Sequence, residues 1–489
     1  MPPRADLILA NRAYLDHDHP PGGSAPESGN GGLLAAVRPI IEPWADGAGT
    51  TWVGAGRGTY DRDFCDEQGI EFIATSRGPL RHRRLFFDDT TWDNHYKQVA
   101  NSFLWPLLHL VRDPLPDVRS YYPRPHVPSE KEWADYQRVN QAFATAAMAQ
   151  PLRRTCWVHD YQLALVPALL RQAGFPGRTG FFLHTPFAAL EVAAEFLGDR
   201  GRSLFAEFVR GILGADVAGF QSEADVARFR DAAGRLCGAT PTSGGLEFEG
   251  HEVRLDAYPV GIDPDEIVEA ARRGELPAEA REVIRPGLPL VVGLERADFT
   301  KGIPERLGAV QHAFERGHAF SYVGIAAPTR EGVEVYADLE AAIAEAAAKA
   351  ELAAVRAGGS FLHLHAAIPW ECVIALQREA DVVFTSSLAD GMNLVPLQAA
   401  IAQGLRPPER RGTILAGRDA GVSVALAGFE HDGLVPVDPL DPEGMTGTLC
   451  NGVAGQLPRI TDRLIAAVRA SSAQHWGTRF LADLEDKSC

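Results

Sequence analysis

The sequence predicts an α/β protein built from two doubly wound parallel sheets. Three observations carry this expectation. The length of 489 residues is long for one domain and comfortable for two. Short apolar runs alternate with helical patterns along most of the chain, which implies parallel strands covered by helices on both faces. That alternation restarts after a charged, proline-bearing stretch at residues 272–286, with the boundary placed near residue 262.

Residues 6–10 (DLILA) read as a buried strand followed by Asn11-Arg12, so Arg12 is presented at its C-terminal end. A Gly/Pro/Ser-bearing loop covers 20–32, and Gly31-Gly32 opens a helical pattern through Ile41. Strand, glycine loop and helix together can bring backbone N–H groups to a phosphate, although many loops carry Gly-Gly. Residues 92–112 mix aromatic and aliphatic side chains at near-helical spacing and are mostly core, with Tyr96 and Trp105 expected on one side. Strands follow at 155–159 (TCWVH), 179–183 (TGFFL) and 215–220. They end in His159-Asp160-Tyr161, His184-Thr185-Pro186 and Gln221-Ser222-Glu223. A hairpin-like stretch at 246–256 precedes another expected strand at 257–262 (AYPVGI). The second half continues with strands at 288–294, 318–325, 361–364, 382–385 and 412–416. The expected domains are therefore 1–262 and 263–472, with the helical segment 473–489, which carries His475-Trp476, crossing back onto the first. Such sheets bind ligands at the C-terminal ends of their strands, so two facing domains place the site in the cleft between them.

Composition narrows the function. The 46% hydrophobic and 23% charged fractions are ordinary for a globular protein. The net charge of −17 argues against nucleic acid or an anionic membrane surface as partner. A few focused arginines can still hold a phosphate in an acidic protein. The six cysteines are widely spaced with no C-x-x-C pair, so they read as free thiols, mostly buried, in a cytoplasmic protein without a metal site. The N-terminal apolar run is too short for a signal peptide, and no run approaches the roughly 18 apolar residues of a membrane span.

Three strand ends carry candidate chemistry. In LERADFTKG, Arg296 and Lys301 stand five residues apart beyond a buried strand. In a cleft they could neutralise a departing diphosphate; on an exposed loop they would be two solvated charges, and spacing alone does not decide. In SSLADGMNLV, Asp390 can accept from sugar hydroxyls and Gly391 permits an unusual backbone conformation. The N–H groups through Met392, Asn393 and Leu394 start a helix and can meet a phosphate, with Asp390 as a plain helix cap the alternative. Third, Asp160 could hold or deprotonate an acceptor hydroxyl and His184 could bond a sugar oxygen, although a lone histidine after a strand is more often structural.

Taken in order, these segments resemble the trehalose-6-phosphate synthases, a family of retaining glycosyltransferases. The match runs from ILANR (8–12) through Trp105, HDY (159–161), FFLHTPF (181–187), GFQSE (219–223), YPVGIDP (258–264), ERADFTKGIPERL (295–307), PTREG (328–332) and DGMNLV (390–395). The resemblance implies the GT-B fold, two Rossmann-like domains facing across a cleft. It implies transfer of glucose from a nucleoside-diphosphate glucose to C1 of glucose 6-phosphate with retention, without a metal or prosthetic group. Carried over, Arg296 and Lys301 bind the donor diphosphate, and Gly32 approaches it. Asp390 and the backbone through Asn393 hold the donor glucose, which His184 touches. Arg12, Tyr96 and Arg330 bind the acceptor phosphate, Trp105 lines the acceptor pocket, and Asp160 holds the acceptor sugar. The leaving phosphate helps take the acceptor proton, so no protein nucleophile is needed.

Two positions depart from the family pattern. Ala55 stands where a second tryptophan is common, which loosens one side of the acceptor pocket. Gln398 replaces the usual acid that grips the donor ribose, and a neutral amide binds a hydroxyl less strongly than a carboxylate. The Ala-, Arg- and Gly-rich, Lys-poor composition points to a GC-rich genome and tilts the expected donor from UDP-glucose to GDP-glucose. Alternatives are a related synthase with a cyclitol or other sugar-phosphate acceptor, or a silent sugar-phosphate sensor. The presence of Arg296, Lys301 and Asp390 weighs against the last. The sequence leaves homo-oligomerisation open.

Overall fold

The structure is a computed structural model that describes residues 3–22, 27–28, 32–44, 49–75, 78–112, 120–151, 153–330 and 336–486. These fall into two compact units. One takes the described residues within 1–113, 124–260 and 473–489, and the other those within 114–123 and 261–472.

In the first unit the strands are β1 (Leu7–Arg12), the short ribbon β2 (Leu15–Asp16) and β3 (Glu27–Ser28), β4 (Thr51–Ala55), β5 (Ile70–Ala74) and β6 (Pro79–Leu85). They continue as β7 (Thr155–His159), β8 (Arg178–Phe182), β9 (Val217–Phe220), β10 (Thr240–Pro241), β11 (Gly245–Phe248) and β12 (His251–Ala257). Apart from the β2–β3 ribbon they form one sheet in the order β10-β11-β12-β9-β8-β7-β1-β4-β6-β5. The run from β12 to β6 is parallel, with antiparallel strands only at the two edges. The central strands are continuous buried runs, as a sheet covered on both faces requires. The edge strand β5 alternates instead.

The second unit holds β13 (Leu290–Arg296), β14 (Ser321–Ala327), β15 (Ser360–Leu364), β16 (Val382–Phe384), β17 (Thr413–Gly417) and β18 (Leu434–Val437). Its sheet runs β15-β14-β13-β16-β17-β18 and is parallel throughout. Each sheet reverses its winding at one place, between β1 and β7 in the first unit and between β13 and β16 in the second. Those reversals are where doubly wound sheets bind ligands.

Two local differences from the sequence reading matter. Residues 257–262 do not form a separate strand. The second arm of the hairpin, β12, itself lies parallel to β9. The chain leaves the sheet after a last bond from the Tyr258 N–H to Phe220 O at 2.7 Å, where Pro259 has no N–H to offer. Of the described cysteines, all free, only Cys156 and Cys450 are buried; Cys65, Cys237 and Cys372 are half-buried.

The segment carrying Tyr96 and Trp105 is also unusual. A short α-helix Asp89–Asp93 runs into a π-helix Asn94–Leu104 and then an α-turn Trp105–Leu108. The Trp105 N–H bonds to Ala100 O, five residues back. At 3.6 residues per turn, nine residues would put Tyr96 and Trp105 on opposite faces. With the i→i+5 pattern, roughly 4.4 residues per turn, nine residues make about two turns, and both leave from one side. The C-terminal helix Ala473–Glu485 packs in the first unit, where Trp476 meets Trp157, Phe182 and His184 at ring distances of 5.1, 4.9 and 5.7 Å.

Candidate active site

In the second unit the chain leaves β13 at Arg296 and makes one 3-10 turn, Phe299–Lys301, before the helix Ile303–Glu315. Gly302 joins them with φ 59°, and a Cβ there would lie 2.3 Å from Ser386 O. Only glycine permits that approach. The Ser386 hydroxyl then donates to Lys301 O and Gly302 O at 3.0 and 2.8 Å, locking this turn to the loop after β16. The result is that Lys301 Nζ, buried, pairs with Asp390 Oδ2. The family resemblance assigns Lys301 to the diphosphate and Asp390 to the sugar; the fold brings them together. Arg296 is exposed at the strand end and donates to Thr329 Oγ1 at 3.3 Å.

The loop holding Asp390 is fixed from behind. Ser387 Oγ donates to Asp390 Oδ2 at 3.1 Å and lies 3.3 Å from Glu295 Oε1. Asn393 Nδ2 reaches both Ser387 Oγ (3.1 Å) and Glu295 Oε1 (3.2 Å). Its Oδ1 caps the helix Leu394–Gln403 by accepting from the Val395 N–H at 3.2 Å. Asn393 is therefore occupied by support and capping, with its own backbone at φ 58°. Met392 is buried and its carbonyl accepts from Val422 N at 2.9 Å, while Asp390 O accepts from Gly421 N at 3.2 Å. The N–H groups of Asn393 and Leu394 have no acceptor within the helix, as at every helix start, which suits a phosphate or hydroxyl oxygen beside Gly391. Behind the loop, fully buried Arg306 pairs with Glu295. Burial pushes the Glu295 carboxyl up, against the pull of Arg306 and Lys301.

Arg330 also lies in the second unit, at φ 49°. Its guanidinium pairs with buried Asp298 and donates to Tyr336 Oη at 2.6 Å. Burial alone would raise Asp298, but the Arg330 and Arg296 guanidiniums and the Thr300 N–H outweigh it and hold the carboxyl well below its usual range. Gln398, half-buried on the helix Leu394–Gln403, accepts from Gln377 Nε2 at 3.3 Å.

In the first unit Arg12 emerges from β1 just after a register shift against β4, and pairs with Asp16 at 3.9 Å. Its guanidinium carbon is 5.5 Å from the Tyr96 ring centre. Trp105 is buried beside Tyr161 and His109, at ring distances of 5.8 and 4.3 Å. Gly32 opens the helix Gly32–Ile41, while Gly31 and the end of the preceding loop lie outside the described residues.

Asp160 follows β7 with φ 73° and ψ 166°, a region that costs a residue with a side chain about 1–3 kcal/mol. Its Oδ1 accepts from the His184 N–H at 3.2 Å. His159 Nδ1 and His184 Nε2 stand 3.1 Å apart. Burial holds both imidazoles neutral, pushing His184 down to about 3 and His159 well below its usual range, the latter helped by His184. Among the described residues His159 Nε2 meets no hydrogen-bond partner. A bare buried acceptor costs less than an orphaned N–H, so the proton belongs on His159 Nδ1, donated to His184 Nε2. That leaves His184 with an Nδ1–H to give.

Backbone strain marks the same residues. Among the described residues, Asp160, Arg330 and Asn393 are three of the four non-glycine positions with positive φ. The fourth, Glu249, precedes Gly250 in the turn between β11 and β12. Sequence reading gave no site role to Trp476, which stands edge-on to His184, or to Glu295, Ser387 and Asp298, which support the second cluster. Their signal is three-dimensional. Among the described residues no group of three His, Cys, Asp or Glu is placed to hold a metal, and no helix is long and apolar enough to cross a membrane.

The family model described as glycosyltransferase family 20 matches residues 26–486. The chain belongs to glycosyltransferase family 20. As a member it is a glycosyltransferase, and its solved relatives share the two-domain α/β architecture. It is 31% identical to the trehalose-6-phosphate synthase of Mycobacterium avium, over 98% of this chain and 95% of that one. It is 30% identical to a UDP-forming α,α-trehalose-phosphate synthase of Aspergillus fumigatus, over 82% of this chain and 76% of the relative. Among solved structures, a UDP-forming α,α-trehalose-phosphate synthase from Burkholderia xenovorans in complex with glucose-6-phosphate matches with a TM-score of 0.78 and 26% identity. That match covers 98% of this chain and 100% of the other. These family 20 relatives that name a donor are UDP-forming, so the tilt towards GDP-glucose, which rested on composition alone, gains no support.

Proposed function

We propose that this family 20 chain transfers glucose from UDP-glucose to glucose 6-phosphate with retention, forming α,α-trehalose 6-phosphate. The observation that carries the reading is the strand-end cluster of Arg296, Lys301 and Asp390 at the switch point of the second sheet, beside a helix N-terminus. A diphosphate leaving group needs charge compensation that is already in position. Lys301 and Arg296 supply it, with Lys301 exchanging Asp390 for a phosphate oxygen. Asp390, released from Lys301, accepts from glucose hydroxyls, and Gly391 to Leu394 with Gln398 complete the donor subsite. His184 gives its Nδ1–H to the donor sugar. Arg12, Tyr96 and Arg330 take the acceptor phosphate, Trp105 stacks against the acceptor, and Asp160 orients its hydroxyl. Gly32 approaches the diphosphate. The leaving phosphate oxygen accepts the acceptor's proton on the face from which it departs, so configuration is retained.

The test is incubation with glucose 6-phosphate and, separately, UDP-, GDP- and ADP-glucose, followed by product analysis. Trehalose 6-phosphate forming fastest with UDP-glucose is the expected result. No product with any donor refutes the activity, and preference for GDP-glucose refutes the donor.

A further inference from the structure

We propose that Arg57 is a further specificity-determining ligand for the phosphate of the acceptor, a second cation working with Arg12 where Ala55 offers no polar group. This rests on the acceptor reading given above and concerns a sugar phosphate monoester dianion.

Ala55 and Arg12 are register partners on adjacent strands, so the end of β4 lies beside the end of β1. Ala55 is fully buried and its methyl group can make no polar contact. Two residues on, the Arg57 guanidinium carbon lies 5.3 Å from the Trp92 ring centre. Trp92 in turn stacks on Tyr96, with ring centres 5.8 Å apart and planes 12° from parallel. Arg12 lies 5.5 Å from Tyr96. Arg57 and Arg12 therefore border the same aromatic pair, Arg57 at Trp92 and Arg12 at Tyr96. Contact with a ring holds a guanidinium through its face and leaves its N–H edges to meet an anion, the geometry that suits phosphate.

The loop beneath Arg57 is built to be rigid. Fully buried Asp61 accepts from the N–H groups of His17 and Gly58, each at 2.9 Å, and pairs with Arg84 at 2.9 Å. Tyr60 N donates to His17 O at 2.9 Å. A Cβ on Gly58 would sit 2.4 Å from His17 N, so only glycine allows this approach. By contrast the side chain at the tip is loosely held. Asp89, its carboxylate partner at 3.3 Å, is 92% exposed. Such a surface pair is weak, and a phosphate dianion can replace it.

Steady-state kinetics with UDP-glucose test the assignment. Arg57→Ala is expected to raise KM for glucose 6-phosphate about tenfold, the loss of one charge-assisted contact, while KM for UDP-glucose moves less than about twofold. Asp89→Asn should shift it the other way, lowering KM for glucose 6-phosphate about twofold. Arg57→Lys, which keeps charge without the planar fork, should fall between wild type and Arg57→Ala. An unchanged KM in a folded Arg57→Ala enzyme overturns the proposal. If Arg57→Ala unfolds, Arg57→Lys and Asp89→Asn decide, and a KM that rises in Asp89→Asn overturns it. Calorimetric titration of glucose 6-phosphate and of inorganic phosphate onto wild type and Arg57→Lys separates this from the wider reading. A wild type that makes no trehalose phosphate removes the activity, whereas equal phosphate affinities in the two proteins remove the role of Arg57.

Discussion

The two switch points share a topology and differ in chemistry. Beyond β13 and β16 the polar groups are charged and paired: Lys301 with Asp390, Arg306 with Glu295, Arg330 with Asp298. Beyond β1 and β7 they are largely neutral and aromatic: His159 against His184, Trp476 edge-on, Tyr96 and Trp105 leaving one side of a π-helix, with Arg12 the cation at the strand end. The difference follows the proposed substrates. A departing diphosphate develops charge and needs cations already in place, of which Lys301 is buried and must be paired to be tolerable without ligand. An acceptor sugar needs oriented hydrogen bonds and flat surfaces, and only its phosphate needs a cation.

The largest effect that could break this contrast lies in the charged cluster. Lys301→Ala should lower kcat about a thousandfold, and Arg296→Ala about a hundredfold, with the fold retained by circular dichroism. Near-normal turnover in either removes its role at the leaving group. In the neutral cluster, Asp160→Gly separates strain from function. It should be about 1 kcal/mol more stable than Asp160→Ala, because both lose the bond to the His184 N–H and only glycine relieves the φ of 73°, while turnover falls about a hundredfold in each. An Asp160→Ala enzyme as stable as Asp160→Gly would mean that no strain is stored at this residue.

Arg330→Ala should raise KM for glucose 6-phosphate about tenfold and also lower the melting temperature, because Asp298 loses a buried partner. A changed melting temperature with an unchanged KM would leave Arg330 a purely structural residue.

Two buried histidines elsewhere in the first unit should carry acid sensitivity. Burial pushes His82 down to about 4 and His95 to about 3, from an ordinary 6.5. Each binds its proton more readily when unfolded, so the stability it contributes is full above pH 6.5 and is lost as pH falls towards its folded value. The slope is about 1 kcal/mol per pH unit for each. His95→Gln should flatten the pH dependence of the unfolding midpoint, and an unchanged slope would exclude it as a source. The smallest effect is expected at the ribose: Gln398→Glu should lower KM for UDP-glucose only about two- to fivefold, because Gln377 already holds that side chain in place.

The alternation of strands and helices was legible because buried parallel strands are nearly unbroken apolar runs. The strands at 155–159 and 382–384 are plain in TCWVH and VVF. The strand β6, PLRHRRL, was not, because its buried His82 and Arg84 are tolerated only through Glu71 and Asp61, which come from elsewhere in the chain. Arg57 is inconspicuous for a similar reason: as a sequence feature it is an ordinary loop arginine.

Sequence by itself determined the family, the two-sheet architecture and the identity of the polar residues at the strand ends, since those depend on local pattern and residue type. Tertiary structure decided their partners. That Lys301 pairs with Asp390, 89 residues away, that Arg330 is held by Asp298, and that Trp476 from the last helix stands against His184 all depend on which strand lies beside which. Charge pairing and burial are properties of proximity in space, and a linear pattern of residues does not contain them.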